Sequence, residues 1–137
     1  LSAVAAPRFA DALSTYRVET AARQLRADLE KARVHAKTTS ASQVVQFDVA
    51  GDSYTLPGVP HIDHPSQDYR ILMESRFGAW IVSADCGGDT ELTFDGYGTT
   101  DSSAEIVLQA GKRRIVVRVA ADTSLPSMDA QSILIAQ

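Results

Sequence analysis

Four stretches of the chain hold residue types that can do chemistry. His61, Asp63 and His64 lie within four positions of one another and offer nitrogen and carboxylate donors of the kind zinc takes. A zinc site needs three or four ligands in fixed geometry, each backed by a further hydrogen bond. These three sit in the segment Pro57 to Pro65, which holds three of the five prolines, with no fourth donor close by. The segment reads as a solvated loop, and no metal ligand is assigned. Cys86 is the one cysteine. A catalytic thiol wants a histidine partner and an electropositive setting. Asp85 and Asp89 flank this one, so it reads as a small residue packed like an apolar one. The third stretch, Asp95 to Thr100, carries Gly96 and Gly98. A phosphate-cradling loop opens directly onto a helix, whereas this loop leads into the strand pattern Ala104 to Ala110. The fourth is the basic set Lys112, Arg113, Arg114 and Arg118. It reads as a charged strand face that protects a sheet edge. The alternative is a patch for anions or DNA, whose binding would be strongly salt-dependent. No Ser-His-Asp set and no paired carboxylates in an apolar run appear. No catalytic residue and no cofactor site is therefore assigned.

With no seat for catalysis in view, the elements that shape the surface carry the argument. The segment Phe9 to Lys37 has no internal Gly or Pro and is rich in Ala, Leu, Arg, Glu and Lys, all good helix formers. Val18, Ala22, Leu25, Leu29, Ala32 and Ala36 recur at alternating gaps of four and three, which places them on one face of a helix. Arg17, Glu19, Arg23, Arg26, Asp28, Glu30, Lys31, Arg33 and Lys37 fall on the other faces. The helix so predicted is about 44 Å long and ends near Thr38 to Ser40, where no capping glycine stands. Phe9, Leu13 and Tyr16 lie ahead of the regular stripe. Large apolar side chains there either fold back on the domain or serve a partner.

Beyond Ser40 the pattern changes to short alternating runs of Val, Ile, Phe and Tyr broken by Gly, Asp and Pro. Gln43 to Val49 and Ser53 to Leu56 predict a hairpin. Tyr69 to Met73, Trp80 to Ser83 and Glu91 to Phe94 predict single strands. Ala104 to Ala110 and Arg113 to Ala120 predict a second hairpin. Gly111-Lys112 is its type II′ turn, with Ile115, Val117 and Val119 inward and Arg114, Val116 and Arg118 outward. Ser124 to Ala130 reads as a loop and Ser132 to Ala136 as a last short strand. One long amphipathic helix followed by many strands makes this an α+β chain, the helix packed on antiparallel sheet. A single domain is expected, helical over 1–40 and β over 41–137.

Composition narrows the function classes. A chain of 137 residues, 45% hydrophobic and 22% charged, has room for a substantial core. A net charge of −4 argues against general nucleic-acid binding. No asparagine is present, so no N-glycosylation acceptor exists. Leu1-Ser2-Ala3-Val4-Ala5-Ala6-Pro7 is apolar and lacks an initiator methionine. It reads as the tail of an apolar segment that continues upstream, with Pro7 as a bend; the alternative is a mature end left by signal-peptide cleavage.

The order of these features resembles the type IV pilin-like proteins, and most of all the GspH/FimT group of minor pilins and type II secretion pseudopilins. Leu1 to Phe9 looks like the close of the hydrophobic pilin helix, and Thr20 to Arg33 is similar to its amphipathic continuation. Leu92-Thr93-Phe94-Asp95-Gly96-Tyr97-Gly98-Thr99 is similar to a family strand followed by Phe-x-x-x-Gly. A gap, the hairpin Ala104 to Ala120 and Asp122-Thr123 follow in the family's order. Ser124-Leu125-Pro126 departs from the glycine the family often carries there. The resemblance implies a non-catalytic subunit without cofactor, metal or small-molecule substrate. It would be anchored as a single pass in the bacterial inner membrane through an upstream half-helix, processed and methylated at its N-terminus. The present domain would stand in the periplasm or in an extracellular filament. Phe9, Leu13 and Tyr16 would then contact other pilin or pseudopilin subunits. In a competence-type minor pilin, Lys112, Arg113, Arg114 and Arg118 would hold DNA.

Overall fold

The computed structural model describes residues 2–100, 102–121 and 128–134, with side chains from Phe9 onward as far as residue 121. Helix α1 (Ser2–Thr39) is followed by β1 (Gln43–Asp48), β2 (Ser53–Pro60), β3 (Asp68–Leu72) and a short helix α2 (Met73–Phe77). Strands β4 (Trp80–Asp85), β5 (Glu91–Phe94), β6 (Ala104–Ala110), β7 (Arg113–Val119) and β8 (Met128–Leu134) complete the order. The strands form two four-stranded sheets, β3-β2-β1-β5 and β4-β6-β7-β8. Every pairing is antiparallel. The α+β architecture, a long helix packed on antiparallel sheets, is the one the residue pattern predicts.

α1 lies against β1 and β5 of one sheet and β6 and β7 of the other. Its stripe from Val18 to Ala36 is buried throughout, at 2% exposure or less. Phe47, Tyr54, Leu56, Leu92, Phe94, Ile106, Leu108 and Val117 close over that stripe. Because Ala22, Ala32 and Ala36 are small, the sheets approach the helix closely.

The helix spans Ser2 to Thr39, ending within the predicted stop at Thr38 to Ser40, and it extends ahead of the amphipathic segment that begins at Phe9, running through Pro7. A proline forfeits one hydrogen bond, and the Ala-rich turns on either side carry the helix across it. The C-terminus is closed without glycine. Ser40 takes the left-handed conformation, φ +52°. The Ser40 N–H donates to Lys37 O and the Ala41 N–H to Ala36 O, the pair of bonds of a Schellman cap.

Other boundaries also shift. β2 continues to Pro60, past the predicted stop at Leu56. The missing N–H of Pro57 is accommodated at a break in register between Leu56 and Pro60. Met73 begins α2 instead of ending a strand, with Gly78 as its left-handed cap at φ +69°. β8 starts at Met128, inside the predicted loop; residues 122–127 and 135–136 of the last predicted elements lie outside the described residues. Gly111 at φ +59°, beside Lys112 at negative φ, fits the II′ turn. Ile115, Val117 and Val119 face the core, but Val116 is buried too. It stands opposite Val107 across the ladder with β8 on its other side, so an outward position in a central strand is still covered.

Candidate interaction surface

At about 100° per residue, Phe9, Leu13 and Tyr16 fall roughly opposite Val18, Leu25 and Leu29 on α1. Phe9 is 70% and Tyr16 65% exposed. Leu13 is half-buried, because α2 packs beside it. The two helices frame an open cleft of about 630 Å³ lined by Leu13, Tyr16, Thr20, Phe77 and Gly78. Gly78 sets the closeness of that approach: a Cβ there would stand 3.1 Å from Arg17 Cδ. The three side chains expected at a partner surface thus form one outward ridge, with a recess at its side that the sequence reading missed along with α2.

The basic set is divided. Strand alternation turns Arg113 to the same face as Ile115 and Val117, where it is half-buried. Among the described residues its Nε has no hydrogen-bond partner. Arg114 and Arg118 lie on the other face. The Arg114 Nε–H donates to Gln109 Oε1 at 2.9 Å, and Arg118 Nε stands 3.1 Å from Glu105 Oε2. Lys112 is exposed at the turn.

His61 and His64 have ring centroids 5.4 Å apart, and His61 Nδ1 accepts the Asp63 N–H at 3.1 Å. Among the described residues no three His, Cys, Asp or Glu side chains gather as a metal site. Cys86 is buried. Desolvation, with Asp89 and Asp85 adding to it, pushes its thiol up to about 11. At neutral pH it is a protonated thiol, a poor nucleophile.

One polar cluster is not visible in the spacing. Asp28, which lies off the apolar stripe of α1 with the other charged residues, is 2% exposed. Its carboxylate accepts the Tyr54 hydroxyl at 2.6 Å and the Tyr69 hydroxyl at 2.8 Å, and Gln24 Nε2 donates to it at 2.9 Å. Lys31 Nζ lies 4.0 Å from the Tyr69 ring centroid. Burial, followed by the nearby Asp28 charge, drives the Tyr54 hydroxyl far above its ordinary range. Tyr69 moves the same way, first through burial and then through its hydrogen bond to Asp28. This clamp ties α1 to β2 and β3. The signal that could have found it is two tyrosines on neighbouring strands, each at an inward position, facing a helix that carries one acid at its flank.

The loop with Gly96 and Gly98 is a structural closure. Asp95 accepts the N–H groups of Tyr97 and Thr99 and the Thr99 hydroxyl, and these bonds, the Thr99 hydroxyl first, hold its carboxyl below the usual range. A Cβ on Gly98 would come within 2.7 Å of Lys37 Cδ, and one on Gly96 within 2.9 Å of the Ser40 carbonyl carbon. The glycines let the loop seat on the end of α1.

Comparison with known proteins fits this geometry. No family model and no curated protein sequence matches the chain. Among solved structures it is similar to the type IV minor pilin FimU of Pseudomonas aeruginosa strain PAO1. The TM-score is 0.61 at 16% identity, over 82% of this chain and 87% of that one. The chain has a type IV pilin fold. Among the described residues of that fold no helix is long and apolar enough to cross a membrane.

Proposed function

We propose that this chain is a non-catalytic minor pseudopilin or minor pilin of the GspH/FimT kind. It assembles with other pilin-like subunits in a type II secretion pseudopilus or a type IV pilus. The observation that carries the reading is the second face of α1. The core uses one side of the helix completely, yet Phe9, Leu13 and Tyr16 make an apolar ridge on the other. A helix exposed with such a ridge is built to be covered. The pilin fold shared with a minor pilin supports the same role. Anchoring in the inner membrane would come from an apolar half-helix upstream, with the present domain on the periplasmic side or in the filament.

The DNA-binding alternative draws less support. Arg113 turns away from Arg114 and Arg118, and both of those side chains already have polar partners. Its test is retention on DNA at low salt and loss of that retention on charge reversal at Arg113 and Arg114.

The test of the main reading is the coding sequence upstream of Leu1. A short basic leader, a small-residue cleavage site and an apolar run completing a span of about 20 residues are expected. An initiator methionine or an ordinary secretory signal directly before Leu1 would remove the anchor and sink the filament reading.

A further inference from the structure

We propose that the end of the domain from which α1 projects is a membrane-surface contact, taking the anionic headgroups of a phospholipid bilayer around the shaft of the helix. The inference rests on the inner-membrane anchor of the filament reading and adds what the folded domain itself does at that surface. Two elements meet α1 at one level there. Gly111, in the β6–β7 turn, lies against Ser14, and Gly78, which closes α2, lies against Arg17. Around that level stand Arg17, Arg76, Lys112 and Arg114, with Asp11 and Glu74 as the acids beside them. In a chain of net charge −4, this end is locally basic. Among the described residues no ion pair holds Arg17 or Arg76. Trp80, the one tryptophan of the chain, keeps 37% of its surface and faces outward from the sheet, because its neighbour Ile81 is buried. Register places Trp80, Gln109 and Arg114 in one row across β4, β6 and β7, two residues from the turn.

Placement and chemistry both select a bilayer. The cations are carried by α1, α2 and the β6–β7 turn, so the surface they make lies across the axis of α1 rather than along one side of it. Whatever covers that surface is crossed by the helix, and in the filament reading the helix crosses a membrane. Distance along α1 agrees. Leu1 to Pro7 is apolar and Arg8 is the first charged residue. From Arg8 to Ser14 the helix rises about 9 Å, close to the depth of the headgroup layer on one side of a bilayer, about 5 to 8 Å. With the apolar run in hydrocarbon, the base of the domain arrives at the phosphates. Guanidinium forks match phosphate oxygens, long basic side chains extend to reach them, and tryptophan favours the headgroup level. The ridge of Phe9 and Tyr16 points sideways from the same helix and stays available to other subunits.

Vesicle binding of the intact 137-residue chain tests this, by co-sedimentation with phosphatidylcholine vesicles and with vesicles carrying one quarter phosphatidylglycerol. Binding to the anionic vesicles should exceed binding to the neutral ones by roughly tenfold or more, fade at high salt, and shift the Trp80 emission to the blue. Each cation near an anionic surface is worth about fivefold in binding, so R17E/R76E and K112E/R114E should each weaken it by roughly twentyfold or more. R23E/R70E changes the net charge equally, away from the base, and should stay within about threefold of the parent chain. Circular dichroism confirms that each variant folds, and the two base variants alter different elements, so a fault in one leaves the other to decide. Equal binding to both vesicle types, an unmoved Trp80 emission, a loss in R23E/R70E as large as in the base variants, or equally tight binding to a DNA duplex overturns the proposal. If vesicle binding fails while the upstream sequence completes an apolar span, only this contact falls. If the upstream span is missing, the filament reading falls and takes with it the anchor on which this contact rests.

Discussion

On the inward face of α1, Val18, Leu25, Leu29, Ala32 and Ala36 have no accessible surface, whereas on the outward ridge Phe9 and Tyr16 keep 70% and 65% of theirs. Both faces are apolar and both follow helical spacing. The inward one is narrow, built from aliphatic and small residues, and complementary to two sheets of the same chain. The outward one is aromatic at its start and ends among charges. Burial energy scales with the area removed from water, so the inward face has already contributed its share to folding and the outward face has not. The same kind of pattern thus serves stability on one side and association on the other. Substitution separates the two.

The largest effect belongs to the inward face. Leu29→Ala should lower unfolding free energy by about 3 kcal/mol, the lost transfer energy plus a cavity at a site locked between helix and sheet. Urea denaturation followed by circular dichroism checks this, and a loss under 1 kcal/mol would break the contrast between the faces. Asp28→Ala comes next, at about 2 kcal/mol, because it leaves the Tyr54 hydroxyl buried without an acceptor. Adding Tyr54→Phe should recover part of that loss, since an apolar ring leaves no orphaned donor. If the double variant is no more stable than Asp28→Ala alone, the clamp does not act through that hydroxyl. On the ridge, Phe9→Ser and Tyr16→Ser should change stability by less than about 0.5 kcal/mol while removing assembly with pilin-like partners. A variant that assembles normally would take the ridge out of the interface.

The contrast also shows what sequence can convey. The buried stripe was readable because one period, sustained from Val18 to Ala36, has one meaning on a helix. The strands from Gln43, Glu91, Ala104 and Arg113 were readable because alternation and glycine turns mark them. Asp28 was not, since a lone acid at a helix flank looks solvated until two tyrosines from other strands arrive to meet it. The helix end at Thr39 was blurred because Ser40 adopts a conformation usually signalled by glycine. α2 is a five-residue helix, too short to show a period, so the cleft beside Leu13 and Tyr16 was invisible with it. The ridge residues Phe9, Leu13 and Tyr16 could be named as apolar and early, but only the packing of α1 shows that they point away from the core.

The smallest effect lies where the ridge becomes charged. Glu30 receives both a 2.9 Å hydrogen bond from Arg33 Nε and a contact from Arg33 Nη2. The Arg33 hydrogen bond holds the Glu30 carboxyl below its ordinary 4.5. A carboxyl depressed in the folded state contributes stability above the unfolded value, near pH 4.5, and that contribution fades as pH falls through the lowered folded value. The Glu30 side chain keeps 46% of its surface and that of Arg33 20%, so water and salt still reach the pair and reduce it to a few tenths of a kcal/mol. Glu30→Gln should therefore cost no more than that at pH 7, and progressively less as pH falls below 4.5, which denaturant midpoints at a series of pH values would show. A loss above about 1 kcal/mol at pH 7 would mean that Glu30 belongs to the machinery of folding rather than to the outward face. A loss too small to matter for the single chain would place this carboxylate with the outward face, whose residues contribute little to the stability of the fold.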